Sequence, residues 1–102
     1  MLFRLRSEVD SAFVAGTWIA PDGTAQALGS NDIVLTPLSE SIVAGRKIPT
    51  TWKIQVKSRD LDIETMPLNA YSWMATSIPY WEGPISVTGS QQGRGYLEMT
   101  GY

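Results

Sequence analysis

The 102-residue chain contains neither cysteine nor histidine. Without cysteine, the fold cannot rely on disulfide bonds or on zinc held by thiolates. The sequence also gives no information on whether the protein's compartment is oxidising or reducing. Without histidine, the chain lacks the most common general base, metal ligand and pH switch. Histidine-dependent catalytic triads and zinc hydrolases are therefore excluded within this chain, and neither a metal nor a cofactor is expected.

Positive charge is also scarce. The chain has 8 Lys and Arg residues against 10 Asp and Glu residues, a formal net charge of -2. A basic surface that could neutralise phosphates is missing, so nucleic acid is not an expected partner. No apolar run is long enough to span a bilayer, and Arg4 and Arg6 lie where a signal peptide would be apolar. The sequence predicts one domain over residues 1–102 without a membrane span, and its localisation is unknown.

The clearest local pattern is an alternation of apolar and polar residues in two neighbouring segments. In 51–57 (TWKIQVK) and in 60–65 (DLDIET), every second residue is apolar, as in strands with one wet face. The short polar connection Ser58-Arg59 predicts that the two strands form a hairpin. One register pairs apolar residues on the inner face and opposite charges on the outer face. Its facing pairs are Val56 and Leu61, Ile54 and Ile63, Lys53 and Glu64, and Lys57 and Asp60.

Further short segments are rich in β-branched or aromatic residues. They are 2–5, 12–20, 24–28, 33–38, 76–81, 85–88 and 96–100. Turn residues separate them, at 21–23, 29–32, 44–46, 83–84 (Gly83-Pro84) and 89–93. Residues 7–13 could form at most one helical turn. The pattern predicts an all-β fold of about nine short strands, an antiparallel meander that closes into a barrel or forms a strongly curved sheet.

Two motifs suggest ion binding but have simpler interpretations. Asp60, Asp62 and Glu64 share one strand face, where hard oxygen ligands could suggest calcium or magnesium. Same-face neighbours lie roughly 7 Å apart and cannot converge on one ion, and lysines across the hairpin are available as partners, so no metal site is predicted. The run 93–95 (Gly93-Arg94-Gly95) lacks the lysine and following helix of a phosphate-binding loop, which favours a hairpin turn.

The aromatic residues are more informative. The candidates for ligand contact are Trp18, Trp52, Trp73, Trp81 and Tyr96. One interpretation is that most of them fill the core, because tryptophan is usually buried for packing alone. The other is that some line an apolar cavity, which a barrel of about eight strands can enclose.

Strand alternation in 78–84 (IPYWEGP) places Tyr80 and Glu82 on one face and Trp81 on the other. If the face with Glu82 is interior, its carboxyl group lies in apolar surroundings and could act as a proton donor. Otherwise Glu82 ends a strand in water or bonds backbone groups at the Gly83-Pro84 turn. Both interpretations remain open at the level of sequence.

Four motifs stand out for their combination and spacing: GTW at 16–18, TWKI at 51–54, YWEG at 80–83 and GRGYLEMTGY at 93–102. The last two resemble the carboxy-terminal signature of the AttH family, and the first two are similar to earlier parts of the same half. The family includes predicted secreted hydrolases and carotenoid 1,2-hydratase (hydroxyneurosporene synthase). The resemblance implies a lipocalin-like (calycin) barrel, the second of two consecutive barrels in a longer chain, starting at that barrel's second strand. It also implies that the full-length protein is periplasmic or secreted.

Two functions follow as hypotheses. The first is a non-catalytic lipocalin-like module that binds an apolar small molecule through the five aromatic candidates or supports a neighbouring domain. The alternative is a fragment of a cofactor-free hydratase-like or secreted hydrolase-like enzyme for an isoprenoid or polyketide-like substrate, with Glu82 and Tyr80 as catalytic residues. The absence of histidine and of a convergent carboxylate pair favours the first. An open barrel edge predicts a homodimer or packing against an N-terminal barrel domain.

Overall fold

The computed structural model describes all residues, 1–102, and contains nine strands and no α-helix. The first three strands are β1 (Leu2–Leu5), β2 (Phe13–Ile19) and β3 (Ala25–Leu28). The other six are β4 (Ile33–Val43), β5 (Arg46–Val56), β6 (Leu61–Pro67), β7 (Trp73–Met74), β8 (Tyr80–Gly89) and β9 (Gly93–Thr100). The predicted all-β class is therefore confirmed. The chain forms no helix long and apolar enough to cross a membrane.

The strands form two antiparallel sheets. The first sheet has the order β1-β2-β3, and the second has the order β4-β5-β6-β8, with β7 and β9 also paired to β8. A single 3-10 turn, Ser30–Asp32, carries the chain from one sheet to the other. No backbone ladder joins β3 to β4 or β1 to β9, so hydrogen bonding does not close a barrel. The structure is an antiparallel meander with two open seams, here named the β3/β4 seam and the β1/β9 seam.

Side chains bridge the β3/β4 seam. Arg59, in the turn after β5, donates a hydrogen bond to the side-chain oxygen of Gln26 in β3. The Arg59 guanidinium carbon also lies 5.2 Å from the centre of the Trp18 ring. Asp32 accepts hydrogen bonds from the Ser58 hydroxyl and, at 2.6 Å, from the Ser58 backbone N–H. The turn after β5 thereby holds the first sheet against the second.

The predicted β5–β6 hairpin is confirmed in its strand register. Val56 lies opposite Leu61, Ile54 opposite Ile63, and Lys53 opposite Glu64. The expected pairing of Lys57 with Asp60 is wrong, because Lys57–Arg59 forms a 3-10 turn and Asp60 adopts a left-handed conformation with φ of 48°. Across the outer face, Lys53 Nζ instead forms an ion pair with Asp62 at 3.3 Å.

The predicted turn at Gly83-Pro84 is wrong, since both residues lie inside the continuous strand β8. The Pro84 carbonyl accepts a hydrogen bond from Leu68 N at 3.0 Å, so Pro84 directs its backbone groups toward the edge where β6 ends at Pro67. The missing N–H of proline therefore removes no ladder hydrogen bond. As a result, the segment predicted at 85–88 lies in the same strand as Tyr80 and Trp81. The predicted strand at 76–81 is wrong for its first four residues, since 76–79 are not in a strand.

Two other predicted turns, at 44–46 and at 93–95, have different outcomes. The predicted turn at 44–46 is confirmed by Ala44 and Gly45, whose φ values of 51° and 74° suit a two-residue hairpin. The predicted turn at Gly93-Arg94-Gly95 is wrong, because these residues begin β9 and pair with β8. The chain reverses just before them, at residues 90–92.

The core consists of two separate hydrophobic clusters. One contains Val43, Ile48, Trp81 and Met99, and the other contains Leu28, Ile33 and Val56. Close approach of the two sheets at the second cluster depends on Gly16. A methyl group on Gly16 would lie 2.5 Å from Leu2 Cδ2 and 3.1 Å from Ile33 Cδ1, so only glycine fits without displacing these side chains.

Candidate functional site

A cavity of about 630 Å³ lies along the β1/β9 seam. Residues of β1 form one wall, and residues of β9 form the wall across the seam. Met99 from one core cluster lines the cavity, and so does Leu35, which packs against the other cluster. The cavity therefore lies between the two clusters, at the seam where the first and last strands of the meander face one another without a backbone ladder.

The floor of the cavity comes from the inner face of the second sheet. Six inner-face residues line it: Trp52, Ile54, Thr65, Ile85, Leu97 and Met99. Strand alternation explains the set, because residues two apart on a strand point to the same face, and residues paired directly across strands share a face. The result is an apolar surface that carries a single hydroxyl group.

That hydroxyl belongs to Thr65, which is 1% exposed. Its Oγ1 atom is buried and has no hydrogen-bond partner. Thr50 is buried to the same degree, at 2% exposure, but its Oγ1 lies 2.9 Å from Ser41 Oγ and is satisfied. A buried hydroxyl without a partner costs free energy, which sets Thr65 apart from the satisfied Thr50.

Two arginines of the amino-terminal segment line the cavity in different ways. Arg6 is engaged: its Nη2 donates hydrogen bonds of 2.9 Å to the Thr100 carbonyl and 2.6 Å to the Gly101 carbonyl. Arg4 also lines the cavity, but it takes part in no hydrogen bond, ion pair or cation-π contact. Its register partner is Val14, whose side chain packs toward the core, so Arg4 lies on the inner face of β1. Arg4 is exposed to solvent, so it places a positive charge without a protein partner at the rim of the cavity, which Glu98 also lines.

Two of the aromatic candidates line the cavity, namely Trp52 and Tyr96. The Trp52 indole N–H donates to the Pro49 carbonyl at 2.7 Å, which fixes the ring at the cavity floor. Trp81 is fully buried in the core and donates its indole N–H to the Ala70 carbonyl at 2.8 Å. Trp81 therefore has a packing role in this structure.

The remaining two tryptophans lie outside the cavity and contact arginines. Trp73 packs against the core cluster of Trp81, and the Arg46 guanidinium carbon lies 5.5 Å from the centre of the Trp73 ring. Trp18 packs against the other cluster and contacts Arg59 across the β3/β4 seam. Both rings cover the ends of the core rather than the cavity.

Tyr80 and Glu82 lie together on the outer face of β8, with Trp81 directed inward between them. Glu82 faces Glu98 across the β8–β9 ladder. Burial raises the pKa of the Tyr80 hydroxyl above 10.0, and the negative charges of Glu82 and Glu98 raise it further. Neither Tyr80 nor Glu82 lines the cavity, whereas Glu98 reaches it from the edge strand.

The acidic residues of the β5–β6 hairpin do not form an ion site. Asp62 pairs with Lys53 and also accepts a hydrogen bond of 3.0 Å from Gln55 Nε2. Asp60 lies in the turn, away from the face that carries Asp62 and Glu64. No group of three or more Asp, Glu, His or Cys side chains in the chain is placed to hold a metal ion.

Sequence reasoning missed two polar residues of the cavity that have no protein partner, Thr65 and Arg4. A signal for Thr65 was present, because it occupies the third inner position of β6 after Leu61 and Ile63, where an apolar residue is expected. For Arg4 the sequence offered only an arginine on a strand, and its face is set by the pairing with β2.

Comparisons with known proteins identify the family. The profile of the AttH-like family matches residues 1–102. A solved structure of a Nitrosomonas europaea protein described as AttH superimposes with a TM-score of 0.84 at 22% sequence identity, a likeness of fold. The match covers 99% of this chain and 34% of that chain, so the present chain spans about a third of its length. No curated protein matches the chain. With its whole length matched by the profile, the chain belongs to the AttH-like family.

Proposed function

We propose that this chain is a non-catalytic, lipocalin-like module that binds an apolar small molecule in the cavity of the β1/β9 seam. The observation that carries the proposal is the cavity itself, about 630 Å³ and lined by 12 hydrophobic residues out of 17. Small-molecule sites are typically concave, largely apolar and of this size, with a few polar groups that orient the ligand. In this proposal the two sheets are the halves of a lipocalin-like barrel whose interior is reached through the seam.

The alternative, an enzyme fragment of hydratase-like or hydrolase-like chemistry, requires Glu82 or Tyr80 beside the substrate. Both residues lie on the outer face of β8, and the side chain between them, Trp81, lies in the core. An acid on the outer face cannot donate a proton to a molecule held at the cavity floor. This placement favours the binding module over the enzyme.

The module is also proposed to pack against another protein surface. Four apolar side chains on the outer face of the first sheet are exposed, of which the two on β1 also line the edge of the cavity: Phe3, Leu5, Phe13 and Ile19. Their outward direction follows from the β1–β2 register, which places Leu5 opposite Phe13. A second copy of the chain or a neighbouring barrel domain would bury this face.

The experiment that tests ligand binding uses tryptophan fluorescence. A long apolar probe such as a fatty acid or a carotenoid should change the emission, because Trp52 lines the cavity. The response should be lost in Trp52→Phe and retained in Trp73→Phe, since Trp73 lies outside the cavity. A flat titration across the probes, with a folded protein by circular dichroism, would reject the proposal.

A further inference from the structure

Two polar side chains of the cavity, Thr65 and Arg4, have no partner within the protein. We infer that they select an amphiphilic ligand, an apolar chain that carries an acidic end group for Arg4 and an oxygen-bearing group along its length for Thr65. The inference rests on the proposed function, because it names the ligand class of the same cavity. It goes further in assigning Thr65 and Arg4 as the residues that determine specificity.

Thr65 carries the first half of the argument. Its Oγ1 is buried on the cavity floor without a hydrogen-bond partner. A plain hydrocarbon that filled the cavity would leave this hydroxyl unsatisfied, whereas a ligand hydroxyl or carbonyl would satisfy it. Protein sites that bind a polar group in this way discriminate strongly against analogues that lack it, because the buried partner is then left unpaired. Thr65 therefore favours an oxygenated chain over a simple alkyl chain.

Arg4 carries the second half. The neighbouring Arg6 is held by two backbone carbonyls, so its guanidinium is already committed. Arg4 is free of such contacts; it lies on the inner face of β1 and is exposed to solvent at the rim of the cavity. The third charged residue that lines the cavity is Glu98, and no ion pair joins it to Arg4.

A single uncommitted guanidinium at the exposed rim of a largely apolar cavity favours a compact monoanion. A carboxylate suits it best, since the fork of guanidinium N–H groups matches the two carboxylate oxygens. A phosphate monoester carries more charge than one arginine neutralises, and the nearby Glu98 would oppose it. The ligand class is thus an oxygenated long-chain carboxylic acid.

The experiment compares stearic acid, a set of stearic acids hydroxylated at different positions, and the methyl ester of each. Affinities are measured by displacement of a fluorescent apolar probe from the folded chain. The expected result is that at least one hydroxylated acid binds about tenfold more tightly than stearic acid. Each acid is also expected to bind about tenfold more tightly than its own ester.

Matched variants assign each preference to its residue. Thr65→Val should abolish the preference for the hydroxylated acid and keep the preference for acid over ester. Arg4→Gln should abolish the preference for acid over ester and keep the preference for the hydroxylated acid. Arg4→Lys should retain part of the preference for acid over ester. The controls are Thr50→Val, whose hydroxyl is bonded to Ser41, and Arg94→Gln, which lies outside the cavity. Neither control should change the preferences.

The outcomes separate this inference from the proposed function. If no probe binds, including stearic acid and the esters, the binding module itself is rejected. If the probes bind without a preference, or if the preferences survive in Thr65→Val and Arg4→Gln, the cavity binds ligands but the inference is wrong. If Arg4→Gln keeps the acid preference but causes self-association, Arg4 guards the open edge of β1 and does not recognise an acid.

Discussion

Arg6 and Tyr102 stack across the β1/β9 seam, with the guanidinium carbon 3.7 Å from the centre of the tyrosine ring. The same guanidinium donates to the carbonyls of Thr100 and Gly101, so three successive residues at the end of the chain's last strand meet one side chain from the end of β1. No backbone ladder joins these two edges. A planar cation suits this position, because it stacks on the ring with its face while its N–H groups bond in the plane.

Arg6→Leu should therefore destabilise the chain. The loss of two charge-assisted hydrogen bonds and a stacking contact, all at an exposed position, should lower the free energy of unfolding by about 1 kcal/mol. Arg6→Lys should lose less of the free energy of unfolding than Arg6→Leu, because an ammonium group can bond one carbonyl but does not stack on the ring as a planar group does. Urea denaturation followed by circular dichroism measures both. Arg94→Leu, on β9 without such contacts, is the control, and an equal loss in that variant would contradict the assignment.

A second prediction compares two buried threonines. Thr65→Val should raise the free energy of unfolding by about 1 kcal/mol, because a methyl group replaces a buried hydroxyl that has no partner. Thr50→Val should lower it by about the same amount, since it removes a hydroxyl bonded to Ser41 and leaves that serine unpaired. Thermal and urea unfolding provide the values. A lower free energy of unfolding in both variants would show that the Thr65 hydroxyl is satisfied in solution.

The sequence predicts the register of two paired strands well where the residues on both faces of the pair constrain it. The β5–β6 register was predictable because shifting one residue would have exposed Ile54 and Ile63 and buried Lys53. The interior position of Gly83-Pro84 was not predictable in the same way. Pro84 fits within β8 only because β6 ends beside it, and where β6 ends depends on the partner strand rather than on the local residues.

The candidate site was predictable only in its chemistry. The tryptophan content indicates that some aromatic rings line an apolar cavity, and Trp52 and Tyr96 do line the cavity. Alternation cannot say which face of β8 is inner, so the role of Trp81 in the core followed only from the packing of the second sheet. The cavity itself arises from an unpaired seam between the first and last strands, a relation between residues far apart in the chain that no local pattern encodes.

A third prediction concerns stability in acid. Hydrogen bonds from the Ser58 hydroxyl and the Ser58 backbone N–H hold the pKa of Asp32 below its ordinary value of 3.8. Because the folded pKa is depressed, the stabilisation is fully present above pH 3.8 and is lost as the pH falls through the folded pKa. Asp32→Asn should therefore lose less stability than the parent when the pH falls from about 5 to about 3. Unfolding by guanidinium chloride at both pH values is the measurement. An equal loss of stability in Asp32→Asn and in the parent would contradict the assignment.

A fourth prediction concerns the outer face of β8. Glu82 and Glu98 face one another there, and both charges disfavour ionisation of Tyr80, whose pKa burial already raises. Glu82→Gln should lower the pKa of Tyr80 toward 10.0 and raise stability at neutral pH by a few tenths of a kcal/mol, since it relieves a like-charge pair. Absorbance of tyrosinate near 295 nm, as a difference from Tyr80→Phe, follows the titration. A Tyr80 titration that does not move in Glu82→Gln would rule out the coupling.

The last prediction concerns the outer face of the first sheet. Phe3 and Phe13 lie with ring centres 5.9 Å apart, and beside them Leu5 is 61% exposed. A contiguous apolar face of this kind is costly in water, so we expect the isolated chain to self-associate at micromolar concentration through this face.

Leu5→Lys should shift the chain to monomer in sedimentation velocity, because it places a charge at the centre of the proposed contact. Ile42→Lys is the matched control, since Ile42 is equally exposed, at 62%, but lies on β4 of the second sheet. The proposal requires the parent and Ile42→Lys to sediment alike and Leu5→Lys to sediment more slowly. A parent chain that is monomeric with full β-sheet content would contradict this prediction.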